Sequence, residues 1–246
     1  MSGVHQFFAD EIDPETGVAR LAGGEHLHLK RALRLKTGDE ILVSDGDGAL
    51  FNAVVSEVGS AFTRARLVKR VDWEPESPLE ITLLQAVPKG RKMDWVLQKA
   101  TELGVRRVIP VMSDRSISRI QGERWLRKKA RWEQILREAA KQSHRALIPH
   151  LGDLLPLTAA LPAYRETLNL FFTPRGQATL RECLDNFTGA RKMTVVIGPE
   201  GGFTPAERAA AVAEGYRSCS MGPRVLRLET AVIKALSVLQ FILGDG

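Results

Sequence analysis

Cysteine is nearly absent from this 246-residue sequence: Cys183 and Cys219 are the only two. Neither belongs to a C-x-x-C pair, so a zinc finger, an iron–sulfur site and a disulfide scaffold are excluded. Cysteine this scarce fits a reducing cytoplasm. Long apolar runs are missing too. The most apolar stretch, 231–243, is broken by Lys234 and Gln240 and is too short to span a bilayer. The first residues carry acids where an export signal wants bases, so a soluble cytoplasmic protein without membrane attachment is expected. The five histidines lack metal-ligand spacing, and no metal site is expected. There is no G-x-S-x-G elbow, no Gly-Lys-Ser/Thr phosphate loop and no G-x-G-x-x-G fingerprint. Repeats and low-complexity tracts are likewise missing. What is present is ordinary globular composition, 44% hydrophobic and 26% charged, which excludes extensive disorder and allows one or two domains.

Charge is unevenly placed. The whole chain carries +6, yet residues 1–74 sum to −3 and residues 89–145 alone to +10. One segment therefore holds the entire excess. A basic block on an otherwise balanced protein points to a polyanion, most often nucleic acid.

The chain changes rhythm near residue 75. Before it, the pattern predicts short strands at Phe7-Phe8, 40–43, 51–55 and 61–69, with one amphipathic helix over 26–35. Such a set suggests a small β-barrel. The segment DWEPESP, rich in proline and acid, reads as a linker. The boundaries are therefore a first domain over 1–72, a linker over 73–78 and a second domain over 79–246. In the second, apolar strands at 79–87, 105–111, 168–173, 193–197 and 218–221 alternate with helices at 92–103, 124–143, after Gly176, after Thr204 and at 229–243. This predicts an α/β fold with a parallel sheet covered on both faces. Thr204-Pro205-Ala206-Glu207 carries an N-cap, a proline at N1 and a capping-box glutamate.

In such a sheet, ligands bind at the carboxyl ends of the strands. Three loops fall there: Thr173-Pro174-Arg175-Gly176, Gly198-Pro199-Glu200-Gly201-Gly202, and Met221 to Arg227. Glycines let a ligand approach the backbone. As a bare turn, GPEGG would need its glycines for geometry alone. Glu200 is an odd choice for that purpose. In the third loop Arg224 and Arg227 precede Glu229, so both charge signs converge beside an apolar helix.

Taken in order, HLKRALRLKTGDEI, KGRKMDWVLQKATELGV, IPVMSDRS, EAAKQSHR, VVIGPEGGF and MGPRVLRLETA resemble one family over almost the whole chain. It is the RsmE family of the SPOUT class, S-adenosylmethionine-dependent 16S ribosomal RNA uridine N3-methyltransferases. The resemblance implies a PUA-like N-terminal barrel for RNA, a C-terminal domain with a trefoil knot, and a homodimer acting on the small ribosomal subunit. It implies S-adenosylmethionine held by Thr173, Pro174, Gly198, Pro199, Glu200, Gly201, Gly202, Met221, Gly222, Val225, Leu226 and Arg227. For the chemistry it leaves Glu200 and Glu229 as candidates for a general base or a carboxylate facing the sulfonium, and Arg224 and Arg227 for stabilising the uracil anion. RNA phosphates would be gripped by Arg31, Arg34, Lys89, Arg91, Lys92, Arg115 and Arg145. Two departures stand out. His5 and Gln6 occupy positions where the family usually has an arginine before the first aromatic pair, and Leu228 replaces a threonine before the last glutamate. Competing readings are a SPOUT enzyme for transfer or large-subunit RNA, a non-catalytic assembly factor, and a nucleotide-phosphate enzyme.

Overall fold

The computed structural model describes residues 4–72, 76–116, 120–185, 189 and 191–245. Part of the expected linker, 73–75, lies outside the described residues. The chain forms two compact units, Met1–Glu76 with Ala140–Ile148, and Ser77–Ala139 with Pro149–Gly246.

The first unit is built on strands β1 (Gln6–Phe8), β2 (Glu11–Asp13), β3 (Val18–Ala22), β4 (Glu40–Ser44), β5 (Leu50–Val58) and β6 (Phe62–Arg70). Their order is β1-β4-β5-β6-β3-β2. The two edge strands, β1 and β2, are consecutive and joined only by Ala9-Asp10, so the sheet must curl until its edges meet. Alternating side chains, Leu21, Ile41, Val43, Ala53, Val55 and Ala65, point inward with Phe7 and Leu29. The β2–β3 hairpin was not anticipated. Its turn is made by the Asp13 carboxylate, which accepts from the Glu15 and Thr16 backbone N–H groups at 2.9 and 3.2 Å, and by Gly17 at φ +66°. The helix expected over 26–35 instead runs as α1 (Gly23–Leu27) followed by one π turn, His28–Ala32. Two glycines conceal its start, and Arg34, in the left-handed region at φ +55°, lies just past its end.

The second unit contains β7 (Glu80–Ala86), α2 (Lys92–Glu102), β8 (Arg107–Met112), most of α3 (Glu123–Gln142), β9 (His150–Leu151), β10 (Leu155–Pro156), α4 (Leu157–Ala163), β11 (Leu168–Phe172), β12 (Ala178–Thr179), α5 (Leu180–Leu184), β13 (Lys192–Ile197), α6 (Pro205–Ala213), β14 (Arg217–Ser220) and α7 (Leu228–Leu243). Every pairing in this sheet is parallel, in the order β10-β8-β7-β13-β11-β14-β12, with β9 also on β8. β11 is buried along its whole length and β13 from its second residue on, as a sheet covered on both faces requires. Leu84, Ile109, Val111, Leu161, Phe171, Val196 and Phe203 form one core cluster. α7 buries Val232, Ala235, Leu236 and Leu239. Each such large aliphatic side chain contributes about 1.5–3 kcal/mol before entropy is counted.

α6 opens with both arms of the capping box between Thr204 and Glu207. A second box, Thr179–Glu182, opens α5. Cys183 on α5 and Cys219 on β14 form a disulfide across a 36-residue separation. The exclusion of a disulfide framework is thus corrected to a single bridge, created because β12 pairs with β14 and carries α5 beside it. Among the described residues no helix is long and apolar enough to cross a membrane.

Candidate active site

Register explains why three loops meet. Gln85 pairs with Ile197, Ile197 with Phe172, and Phe172 with Cys219, giving a level row across four neighbouring parallel strands. The loops after β11, β13 and β14 therefore leave the sheet within a residue or so of the same height. They wall a cavity of about 700 Å³, together with Lys92 and Arg115. Every residue expected to hold the cofactor lines it. Phe172, Ile197, Phe203, Arg208 and Ala231 line it as well and were not anticipated. Phe172 and Ile197 are strand ends, which the pattern treats as core, while Phe203 lies between β13 and α6, Arg208 on α6 and Ala231 on α7.

The electrostatic centre is Lys92. β7 neighbours β13, so the β7–α2 loop lies beside GPEGG. Lys92 Nζ is 2.9 Å from Glu200 Oε1 and 3.7 Å from Glu229 Oε1. The Lys89 backbone N–H donates to Glu200 Oε2 at 3.4 Å. Burial alone would push the Glu200 carboxyl up. The hydrogen bonds from Lys92 and from the backbone N–H groups of Glu200 and Lys89 outweigh it and hold the group below the usual range. Its charge, and the contact it makes, persist above the ordinary carboxylate range and are lost only as pH falls through that lowered value. Hydrogen bonding to Glu200 raises the Lys92 ammonium in turn. Glu229, in the first turn of α7, has a buried Oε2 with no hydrogen-bond partner.

Further ties shape the loops. Lys234 Nζ, two turns into α7, donates to the Met221 carbonyl at 2.7 Å. Arg115 donates to the Gly201 carbonyl at 2.6 Å. Glu207 serves twice: one oxygen takes the Thr204 N–H at 2.7 Å and the other the Asp114 N–H at 2.8 Å. Sequence reasoning missed Lys234 and Asp114, because each acts across elements whose contact has no local sequence signal.

The expected phosphate contacts separate into two groups. Arg31, Arg34, Lys89 and Arg91 are exposed. Three others have their charged groups occupied. Lys92 lies among carboxylates and Arg115 on the GPEGG loop. Arg145 is only 4% exposed, with a guanidinium nitrogen 2.7 Å from Glu76 Oε2. Arg145 is a structural ion pair of the first unit. Arg224 and Arg227 are exposed at the cavity mouth.

Comparison with known proteins places this geometry. The family model described as RNA methyltransferase domain matches residues 75–240, and that described as RNA methyltransferase PUA domain matches residues 21–61. The chain is similar to ribosomal RNA small subunit methyltransferase E of Mycobacterium bovis, 32% identical, over 95% of this chain and 90% of that protein. It resembles the crystal structure of a ribosomal RNA small subunit methyltransferase E from Neisseria gonorrhoeae bound to S-adenosyl methionine, with a TM-score of 0.89, 29% identity and 99% coverage of both chains. A putative methyltransferase of Legionella pneumophila, in complex with the same cofactor, is similar at a TM-score of 0.89 and 32% identity, covering 99% of this chain and 100% of that one.

Proposed function

This chain belongs to the ribosomal RNA small subunit methyltransferase E family, and from that membership we propose that it methylates N3 of a uridine in 16S ribosomal RNA, using S-adenosylmethionine. The observation that carries the reading is the cavity where three parallel-strand loops converge on two carboxylates. The residues suit a sulfonium cofactor. The cavity volume falls in the range for small-molecule sites, and its lining sets apolar Phe172, Ile197 and Leu226 beside the acidic Glu200 and Glu229, which suits a ligand with a flat ring system and a positive charge. Thr173, Pro174, Gly198 to Gly202, Met221, Gly222, Val225, Leu226 and Arg227 would hold it. When bound, the sulfonium supplies an electrophilic methyl group, so activation is needed only at the nucleophile.

Uracil N3 carries a proton and is normally buried in pairing. The enzyme must expose the base and favour the N3 anion. Glu200 and Glu229 are the carboxylates in reach, and Arg224 and Arg227 are placed to stabilise charge developing on O2 and O4. Arg31, Arg34, Lys89 and Arg91 supply exposed charge for phosphates, the first two from the PUA-like unit. The trefoil knot is part of the same reading. It is supported by the strand order, in which β13 inserts between β7 and β11. A cytoplasmic setting, where ribosomal subunits are found, belongs to the same proposal.

The homodimer rests on α7. Opposite its buried side, Phe241 is 74% exposed, with Ile242 and Ile233 also open. Large apolar side chains left exposed along one helix favour self-association. Phe241→Glu should leave the fold intact and give a monomer by light scattering. A twofold interface loses the side chain twice, about 4 kcal/mol in total and a roughly 10³-fold weaker dimer. An unchanged dimer would remove α7 from the interface.

The function is tested by methyl transfer from labelled S-adenosylmethionine to small subunits lacking the modification, followed by digestion to nucleosides. Label in 3-methyluridine is the expected result. Label in another nucleoside, or only in other RNAs, would overturn the proposed reaction.

A further inference from the structure

We propose that Lys92 divides the labour between the two carboxylates, locking Glu200 as a fixed countercharge and leaving Glu229 Oε2 as the oxygen that takes the uracil N3 proton. The proposal rests on the reading above.

The two acids are not equivalent. Glu200 has both oxygens occupied, Oε1 by Lys92 Nζ at 2.9 Å and Oε2 by the Lys89 backbone N–H at 3.4 Å. A carboxylate held in this way is a poor proton acceptor. Glu229 differs. Its Oε1 stands 3.7 Å from Lys92 Nζ, close enough for attraction but too far for a good hydrogen bond. Its Oε2 is buried and has no partner. A buried acceptor without a donor is costly unless a ligand brings one. A sulfonium brings charge but no N–H or O–H at its reacting centre. Uracil N3–H is a donor of the required kind.

Lys92 is suited to positioning. It is the first residue of α2, a helix fixed by buried Met93, Val96 and Leu97. Its ammonium joins the β7–α2 loop, the GPEGG loop and the start of α7. In the reaction the N3–H electron pair stays on nitrogen as N3 takes the methyl group, and the proton passes to Glu229 Oε2. The carboxylate's negative charge and the sulfonium's positive charge vanish together, leaving a carboxylic acid and a neutral thioether. The acid then returns its proton to water. Lys92 keeps Glu200 charged throughout and prevents Glu229 from turning toward a stronger partner.

The test uses the full-length protein, with single-turnover methyl transfer to small subunits, calorimetric titration with S-adenosylhomocysteine, and RNA binding across a salt series. Glu229→Gln should lower the transfer rate about 10²-fold or more, with S-adenosylhomocysteine affinity and melting midpoint near those of the unaltered protein. Lys92→Met should lower kcat by tens-fold on the order expected for a misplaced reacting group. KM for subunits and the salt slope should not move, and Lys92→Arg should restore most of the rate. Glu229→Gln transferring within threefold of the unaltered protein would overturn the proton assignment. A salt slope flattened by about 1 in Lys92→Met would make Lys92 a phosphate contact and overturn its positioning role. An unaltered protein that binds S-adenosylhomocysteine yet makes no 3-methyluridine would bring down the reading underneath. That outcome is separable because it appears before any variant is made.

Discussion

Arg145→Met is expected to destabilise the first unit by about 3–5 kcal/mol, the cost of stranding one partner of a buried ion pair. Arg145 Nε and a terminal guanidinium nitrogen donate to Glu76 Oε2 at 3.1 and 2.7 Å, and Glu76 Oε1 accepts both Arg145 Nε at 3.3 Å and the Leu147 N–H at 3.1 Å. The Arg145 carbonyl in turn accepts from Gln6 Nε2 at 2.6 Å. Removing the guanidinium leaves a carboxylate one-fifth exposed with only a backbone donor. Arg145→Lys should recover part of the loss, since an ammonium cannot reproduce the fork. Pairing Arg145→Met with Glu76→Gln should recover more, because no charge is then stranded. Denaturant titration of the three variants measures this. RNA binding at temperatures where the variant is folded should keep its salt slope. A flattened slope with unchanged stability would restore Arg145 to the phosphate contacts and refute the structural assignment.

Gly176→Ala should cost about 3 kcal/mol at the cofactor site, roughly a 100-fold loss of S-adenosylhomocysteine affinity by calorimetry. A Cβ there would lie 2.2 Å from the Cys219 carbonyl carbon and 2.3 Å from the Ser220 nitrogen. Those atoms are backbone and cannot swing aside. They also sit just before Met221, so the displacement is delivered straight into the third loop. Gly198→Ala makes a useful contrast. Its Cβ would meet the edge of the Phe203 ring at 2.9 Å, a side chain that can yield, and a smaller loss is expected. Equal affinity in Gly176→Ala and the unaltered protein would mean that the first loop does not press on β14 in the binding state.

The parts of this fold that were legible from residues alone are the local ones. Thr204-Pro205-Ala206-Glu207 announces a helix start through contacts within four residues, and both arms of its box are present. The alternation of apolar runs with helical periods specifies a parallel sheet. Once the sheet is parallel, the three glycine-bearing loops must share its carboxyl edge. The β2–β3 hairpin escaped because VARLA has little alternating contrast, although Asp13 to Gly17 carried a turn signal. The start of α1 escaped because Gly23-Gly24 argues against a helix. At the site, loop membership was readable but partnership was not. A basic residue at 92, 115 or 145 contributes equally to net charge whether it faces solvent or a carboxylate. Glu76 and Arg145 are 69 positions apart, and only the folded backbone brings them together.

The first unit is discontinuous, since Ala140–Ile148 packs with Met1–Glu76. Within it the Ser44 hydroxyl donates to the Ala146 carbonyl at 2.6 Å, and the Ile148 N–H to the Gly46 carbonyl at 2.9 Å. During synthesis, therefore, the curled sheet emerges from the ribosome well before the segment that completes it. At typical elongation rates of about 5–20 residues per second, the intervening stretch of roughly 70 residues takes on the order of 4–15 s. For that interval the nascent sheet holds Glu76 without its arginine and Ser44 without its acceptor. The amino-terminal part of the chain is first to be made, yet its native packing is finished only after the first β-α-β segment of the second unit has also been translated.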